Sequence, residues 1–193
     1  MIDGARIGPL RYFAAAAMGL AGAGLFTTQA FAEVAYVMDD AFRMSAGGVA
    51  RSLADGDMAG ALQGARVLSA GADQPFEKYT SGQLMLQAAA AKGDLQAQRQ
   101  ALDLMLESGA APSGRTAELH ALAGIISAML GDYRTAATQV AYANRLGYVS
   151  VPSQVALADA AFQTGNAQVG NAALEQAIAI RVRGGQRIEA EWY

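Results

Sequence analysis

Apolar residues recur at helical spacing over most of the chain. One such segment carries Ala61, Leu62, Ala65 and Leu68. These residues share one face of a helix, because they lie three or four positions apart. Proline is rare, Ala and Leu are abundant, and no run of alternating β-branched residues is long enough for a strand. The pattern therefore predicts an all-α fold.

A two-residue signal, Gly followed by Asp or Asn, divides the helical segments. It occurs at 56–57, 93–94, 131–132 and 165–166, at intervals of 37, 38 and 34 residues. Gly suits the left-handed conformation that ends a helix, and the Asp or Asn side chain caps the helix that follows. Each pair thus ends one helix and begins the next. The period predicts a solenoid of helical hairpins.

The hairpins are not equally regular in sequence. Around 131–132 we expect helices at about 115–130 and 132–146. Around 93–94 an apolar stripe supports two helices, and the turn cluster at 109–113 explains the longer interval. We expect the first helix of the first hairpin, from about 38 to 54, to be irregular because it contains Gly47-Gly48.

The small residues at fixed distances from these turns resemble the tetratricopeptide repeat (TPR), a helix–turn–helix of 34 residues. With Gly131 counted as the fifteenth residue, its eighth, twentieth and twenty-seventh positions are Gly124, Ala136 and Ala143. In the next unit these positions are Ala158, Gly170 and Ala177, whereas the unit around Gly93 departs from the pattern with Leu86, Gln98 and Met105. The resemblance covers residues 38–193, most specifically 115–183. It implies a right-handed α-α superhelix of three to four hairpins with closely packed helices.

The first 32 residues have the order of a secretory signal peptide. Arg6 and Arg11 precede an uncharged stretch at 12–26, and Ala30-Phe31-Ala32 forms an Ala-x-Ala cleavage pattern. We expect a mature domain at 33–193, exported to the periplasm and without a stable membrane span. The alternatives are an uncleaved anchor or a plain N-terminal helix. The segment 77–109, followed by Gly-Asp-Tyr, is similar to exported TPR-like proteins of Gram-negative bacteria.

The last ten residues predict an interrupted repeat. Gly184-Gly185 ends a helix, and Trp192 falls where TPR units keep a large aromatic residue. If Glu189 opens a further unit, the chain stops within its first helix. The alternative is a short tail that folds back onto the last repeat.

Composition and residue types argue against nucleic-acid binding, catalysis and metal binding. The net charge is −3, and the chain lacks the basic patch that is typical of a nucleic-acid-binding protein. The chain has no cysteine, and its single histidine, His120, falls where a TPR unit packs an aromatic residue between helices. A catalytic triad needs a base with an orienting acid, and metal sites gather several ligands. We therefore predict a non-catalytic protein without metal or cofactor.

The TPR resemblance implies a concave groove lined by the first helix of each hairpin. The proposed groove residues are Glu118, Ile125, Met129, Val155, Asp159, Phe162 and Gln163. None of them is basic, so an amphipathic helix or peptide of a partner protein suits the groove better than a C-terminal carboxylate. Alternatively, its apolar members are buried between helices. The predicted function is protein binding or scaffolding. One alternative is a self-associating solenoid. A cell-wall-linked enzyme is a less favoured alternative, because the sequence shows no convincing pair of carboxylates.

Overall fold

The chain is described here by a computed structural model over residues 39–185, and within this range it forms eight α-helices and no strand. They are α1 (Asp40–Ala54), α2 (Met58–Ala70), α3 (Pro75–Lys92), α4 (Leu95–Glu107), α5 (Arg115–Met129), α6 (Tyr133–Arg145), α7 (Val151–Gln163) and α8 (Ala167–Arg183). The all-α prediction is thus confirmed. The predicted signal peptide at 1–32 and the predicted interrupted repeat after residue 185 lie outside the described residues.

Each helix packs against the next one along the chain. Two further contacts, between α1 and α3 and between α5 and α7, join the first helices of neighbouring hairpins. The helices therefore form four hairpins, α1–α2, α3–α4, α5–α6 and α7–α8, with contacts mostly between neighbours in sequence.

The turn inside each hairpin forms as the sequence predicts. In the third hairpin, Gly131 has a φ of 80°, which an L side chain rarely adopts. The N–H of Asp132 then donates to the carbonyl of Ser127 at 2.9 Å, which closes the end of α5. The Asp132 carboxylate accepts the N–H of Thr135 at 3.2 Å and caps α6. Two residues thus satisfy backbone groups of both helices.

The other three turns repeat this geometry. The capping side chains Asp57, Asp94 and Asn166 accept backbone N–H groups of Gly60, Ala97 and Val169 at 2.8, 2.9 and 3.3 Å. A cap of this kind contributes about 1 kcal/mol to stability. The repeated dipeptide therefore has one structural role in all four hairpins.

Glycine allows the two helices of a hairpin to approach closely. A Cβ atom built on Gly124 would lie 2.5 Å from Cγ2 of Val140 and 3.1 Å from the carbonyl oxygen of Ala136. One hairpin later, a Cβ on Gly170 would lie 2.5 Å from Cε1 of Phe162. The small residues counted from the turns therefore lie at helix–helix contacts in the third and fourth hairpins.

The second hairpin has its close contact one turn further from the loop than the repeat count predicts. A Cβ on Gly82 would meet Cγ of Met105 at 2.6 Å and the carbonyl oxygen of Ala101 at 3.0 Å. Leu86, which the count places at the small position, is half-buried, and Gln98 is buried. The bulk of these two side chains close to the loop explains why the closest approach moves to Gly82.

The first helix is not irregular, so that expectation is wrong. Helix α1 runs without a break through Gly47 and Gly48. Phe42 and Val49, on either side of the glycine pair, are both buried. Their packing outweighs the cost of about 1 kcal/mol that each glycine imposes relative to alanine.

Glu77, in the first turn of α3, joins the start of its own helix to the start of α1. Its carboxylate accepts the N–H groups of Asp73 and Gln74, both at 3.1 Å, and that of Asp39 at 3.2 Å. The side chain is only 4% exposed. Burial acts to raise the pKa of Glu77, but the bonds from Gln74, Asp39 and Asp73 together lower it below 4.5. The ionised carboxylate therefore holds the start of α1 against the start of α3.

The close approach at Gly124 predicts the effect of a large side chain there. Gly124→Leu should lower the free energy of unfolding by about 1–3 kcal/mol, since overpacking displaces α5 from α6. The matched control is Gly47→Leu, because a Cβ on Gly47 meets no described atom within 4 Å. Chemical denaturation of both variants measures the difference. Equal stability of the two would contradict the packing described here.

The hydrogen bonds of Glu77 predict a stability that depends on pH. Because the folded-state pKa is lowered, the carboxylate stabilises the fold above its ordinary pKa of 4.5 and loses this effect as the pH falls through the folded value. Glu77→Gln should cost about 1–3 kcal/mol at pH 7, because one backbone N–H or more loses its acceptor. Denaturation from pH 7 to pH 3 should show the difference shrinking. Glu175→Gln, on the exposed face of α8, serves as the control and should show no such trend.

Candidate functional site

The predicted groove residues lie on α5 and α7, which contact each other. On α7, Val155 and Asp159 are half-buried and Gln163 is exposed. They follow one another at intervals of four residues and so form a continuous stripe along the helix. On α5, Glu118 is half-buried and pairs with Arg115 at 3.2 Å. These four side chains are accessible to a partner.

The apolar residues of the predicted groove have a different environment. Ile125 is 6% exposed and belongs to a cluster formed with Ala128, Ala136, Ala156 and Ala160, against which Met129 is partly buried. This cluster joins α5, α6 and α7. Ile125 and Met129 therefore stabilise the contact between the third and fourth hairpins.

Phe162 also packs inside the protein. It is partly buried against a cluster of Val140, Leu157, Ala158 and Ala173, and its ring lies over Gly170. The contact joins α7 to α6 and α8. Of the predicted groove residues, Ile125 is thus buried, Gln163 is exposed and the other five are half-buried, with Phe162 and Met129 packed against apolar clusters.

Asp159 lies at the centre of the α7 stripe and has an unsatisfied oxygen. Oδ1 accepts a bond from Nε2 of Gln163 at 3.5 Å, whereas Oδ2 is buried with no hydrogen-bond partner among residues 39–185. Burial raises the pKa of Asp159, and the bond from Gln163 opposes this only in part. Buried polar atoms are normally paired, so Asp159 has an unmet capacity to accept a hydrogen bond. The repeat count identifies the position, but only the surroundings reveal the missing donor.

Gln154, one residue before this stripe begins, is a buried polar residue that the sequence did not single out. Its side chain is fully buried, and Nε2 donates to Oδ1 of Asn144 at 2.8 Å. Oε1 has no partner within the described part of the chain. The bond ties α7 to the end of α6. The signal in the sequence was a polar residue on the apolar face of a helix.

His120 packs between the helices of the third hairpin, as predicted. Its Nδ1 lies 2.6 Å from Oε1 of Gln139, and its ring centroid lies 4.4 Å from that of Tyr142. The guanidinium of Arg145 lies 5.2 Å from the Tyr142 ring centroid on the same helix. The contacts of His120 are thus an amide and an aromatic ring, which fix its orientation between α5 and α6.

Residues 39–185 include neither a cluster of metal-binding side chains nor a helix that could span a membrane. That range contains no group of three or more His, Asp or Glu residues that could hold a metal ion. None of its helices is both long enough and apolar enough to cross a membrane. No protein-family model, curated protein or solved structure matches this chain. The function is therefore inferred from the residues themselves.

The unpaired oxygen of Asp159 predicts a substitution that stabilises the protein. A raised folded-state pKa means that the charged carboxylate opposes folding, and that stability falls as the pH rises from the ordinary value of 3.8 through the folded value. Asp159→Asn should therefore raise Tm at pH 7, with the difference disappearing at about pH 3.

The control for this experiment is Asp40→Asn. Asp40 is exposed in the first turn of α1, where a negative charge is favourable, so its replacement should lower Tm slightly at pH 7. A lower Tm for Asp159→Asn at pH 7 would instead mean that the carboxylate has a donor within the protein. Thermal unfolding followed by circular dichroism distinguishes these results.

Proposed function

We propose that this chain is a non-catalytic protein-interaction module of the TPR type, an α-solenoid that acts in the periplasm. Two observations support the architecture: the four hairpins share one turn geometry, and first helices contact first helices in α1–α3 and α5–α7. In a solenoid of this kind the first helices line the binding surface. The periplasmic location is proposed from the signal-peptide pattern at 1–32.

The observation that carries the proposal is the unmet acceptor of Asp159 in the middle of an accessible stripe. Val155 offers an apolar contact on one side, and Gln163 offers an amide on the other. Because Oδ2 is buried, a donor from outside would reach the carboxylate at Oδ1, whose single bond from Gln163 is long. A lysine or arginine of a bound segment would supply the strongest such hydrogen bond. We therefore propose a partner helix or peptide with a basic residue flanked by apolar ones.

The contacts of the buried residues determine which substitutions can test this surface. Ile125→Glu or Phe162→Glu would place an unpaired charge among packed helices, so a loss of binding would only report unfolding. Val155→Glu and substitutions at Gln163 change accessible side chains. They are therefore suited to separate binding from stability.

Site-specific photo-cross-linking in cells should capture the partner. A photoreactive amino acid replacing Gln163 should form a discrete adduct with one protein, whereas the same residue replacing the exposed Thr138 on α6 should not. With the captured protein purified, Val155→Glu should weaken its binding at least tenfold, about 1.4 kcal/mol, without lowering Tm. Asp159→Asn should weaken binding while raising Tm.

Three results would contradict the proposal. Adducts of equal yield from the two positions would mean that α7 has no special role. An adduct with a second copy of the chain would replace partner binding by self-association. Unchanged affinity in both Val155→Glu and Asp159→Asn would place the interface elsewhere.

A further inference from the structure

Charge is unevenly distributed along the described chain. The segment 133–158 is its longest interval without an acidic residue, and the charged side chains of this segment are Arg134 and Arg145. The whole chain has 17 acidic and 14 basic residues, so the segment is an exception to an acidic composition. Both arginines belong to α6, and both are exposed. Helix α6 therefore presents positive charge alone to its surroundings.

These two arginines have no carboxylate partner within residues 39–185. The ion pairs of that range include neither Arg134 nor Arg145. The guanidinium of Arg145 lies 5.2 Å from the ring centroid of Tyr142, a contact that leaves its charge unpaired. The acidic residue that precedes α6, Asp132, caps the helix through the N–H of Thr135 at 3.2 Å. Both guanidinium groups can therefore bind an anion from outside.

Exposed apolar side chains accompany the arginines. Tyr142 is 43% exposed, Leu146 49% and Val149 36%. Arg134, Tyr142 and Arg145 share one face of α6, and the two arginines are about 17 Å apart along the helix axis. Leu146 and Val149 continue from the Arg145 end. The residues that α6 buries lie on the opposite face and are Ala136, Val140 and Ala143.

The loop that follows α6 is apolar and has a defined conformation. It reads Leu146-Gly147-Tyr148-Val149. Gly147 has a φ of 86°, and the N–H of Tyr148 donates to the carbonyl of Ala143 at 3.0 Å, which closes the end of α6. This turn holds Leu146 and Val149 at the surface. Exposed apolar residues that lie together commonly mark a surface that binds a protein or a membrane.

A lipid surface fits this arrangement better than a protein segment does. A partner helix docks in a groove between helices, whereas these side chains lie on the outward face of one helix and on the loop at its end. Arginine forms strong hydrogen bonds with phosphate groups, and tyrosine is favoured at the level of lipid headgroups. Leucine and valine beside such residues enter the boundary between headgroups and acyl chains. Each exposed residue type thus has a role at an anionic membrane.

We propose that the outward face of α6 and the loop after it dock the protein on a membrane surface that contains anionic phospholipid. Arg134 and Arg145 bind lipid phosphates, while Leu146 and Val149 enter the headgroup boundary. The predicted groove residues lie on α5 and α7 and include none of these side chains. The proposal is therefore independent of partner binding at Asp159.

Site-specific fluorescence in the full chain tests the proposal, because the protein has no cysteine of its own. A polarity-sensitive fluorophore on Val149→Cys should brighten at least twofold with vesicles of equal parts phosphatidylglycerol and phosphatidylcholine. Vesicles of phosphatidylcholine alone should have little effect, since they carry no net negative charge. The uncharged stretch at 12–26 could itself bind lipid, so the control is the same fluorophore on Gln63→Cys, exposed on α2, which should not respond.

A double substitution tests the role of the arginines. Arg134→Gln with Arg145→Gln, added to Val149→Cys, should raise the lipid concentration for half of the response at least tenfold, with little change in Tm. The matched control is Arg43→Gln with Arg66→Gln. It removes the same charge from exposed arginines that pair with carboxylates, and it should leave the titration unchanged.

Four results would overturn the proposal. They are no response of the fluorophore at position 149, an equal response at position 63, an equal response to vesicles without anionic lipid, and an unchanged titration after loss of Arg134 and Arg145. A protein adduct formed by a photoreactive amino acid at Thr138, which lies on the same face of α6, would also overturn it. That adduct would assign the face to a protein with acidic residues instead of a membrane.

Discussion

The structure depends on a two-residue turn that supplies hydrogen bonds to the backbone groups at the ends of two helices. At each hairpin a left-handed glycine ends one helix, and the next side chain caps the other. Helices joined by so short a turn can only be antiparallel neighbours. The distance of a residue from the turn therefore determines what it faces across the hairpin. Gly124 meets Ala136 and Val140 for this reason, and the helices can pack closely only because both positions near the turn are small.

Counting from the turns was sufficient to predict most of the fold and failed where side-chain volume intervened. The observed bounds of α5 and α6 differ from the predicted ones by a single residue at three of their four ends and coincide at the other. The same count fails at Leu86, because two bulky side chains near the loop move the closest approach to Gly82. A count of positions contains no information on the volume of the side chains at those positions. The continuity of α1 through its glycine pair likewise follows from tertiary packing, which local propensity does not include.

At the candidate site, too, the repeat count predicts where a residue lies on its helix but not which side chains surround it. The repeat count placed Asp159 on an accessible stripe, but it also placed Ile125 and Phe162 on the groove. Around Ile125, helices α6 and α7 present alanines, and around Phe162, helix α8 presents Gly170 and Ala173, so in each case a large side chain fills the space. Whether an apolar residue on a first helix is core or surface thus depends on residues that here lie about 8–35 positions away in sequence. The role of Glu77 was missed for a related reason, because one of its three donors, Asp39, is 38 positions away in sequence.

Glu77 and Asp159 are two carboxylates that the fold satisfies to different degrees. Both are carboxylates held at least partly away from water, yet their pKa values shift in opposite directions. Glu77 receives three backbone N–H groups, whereas Asp159 receives one long bond from an amide. The fold can therefore satisfy a buried carboxylate where its role is internal. At Asp159, by contrast, one buried oxygen has no donor among the described residues, although buried polar atoms are normally paired. A departure of this kind from a rule followed elsewhere in the same fold is typical of functional or strained sites.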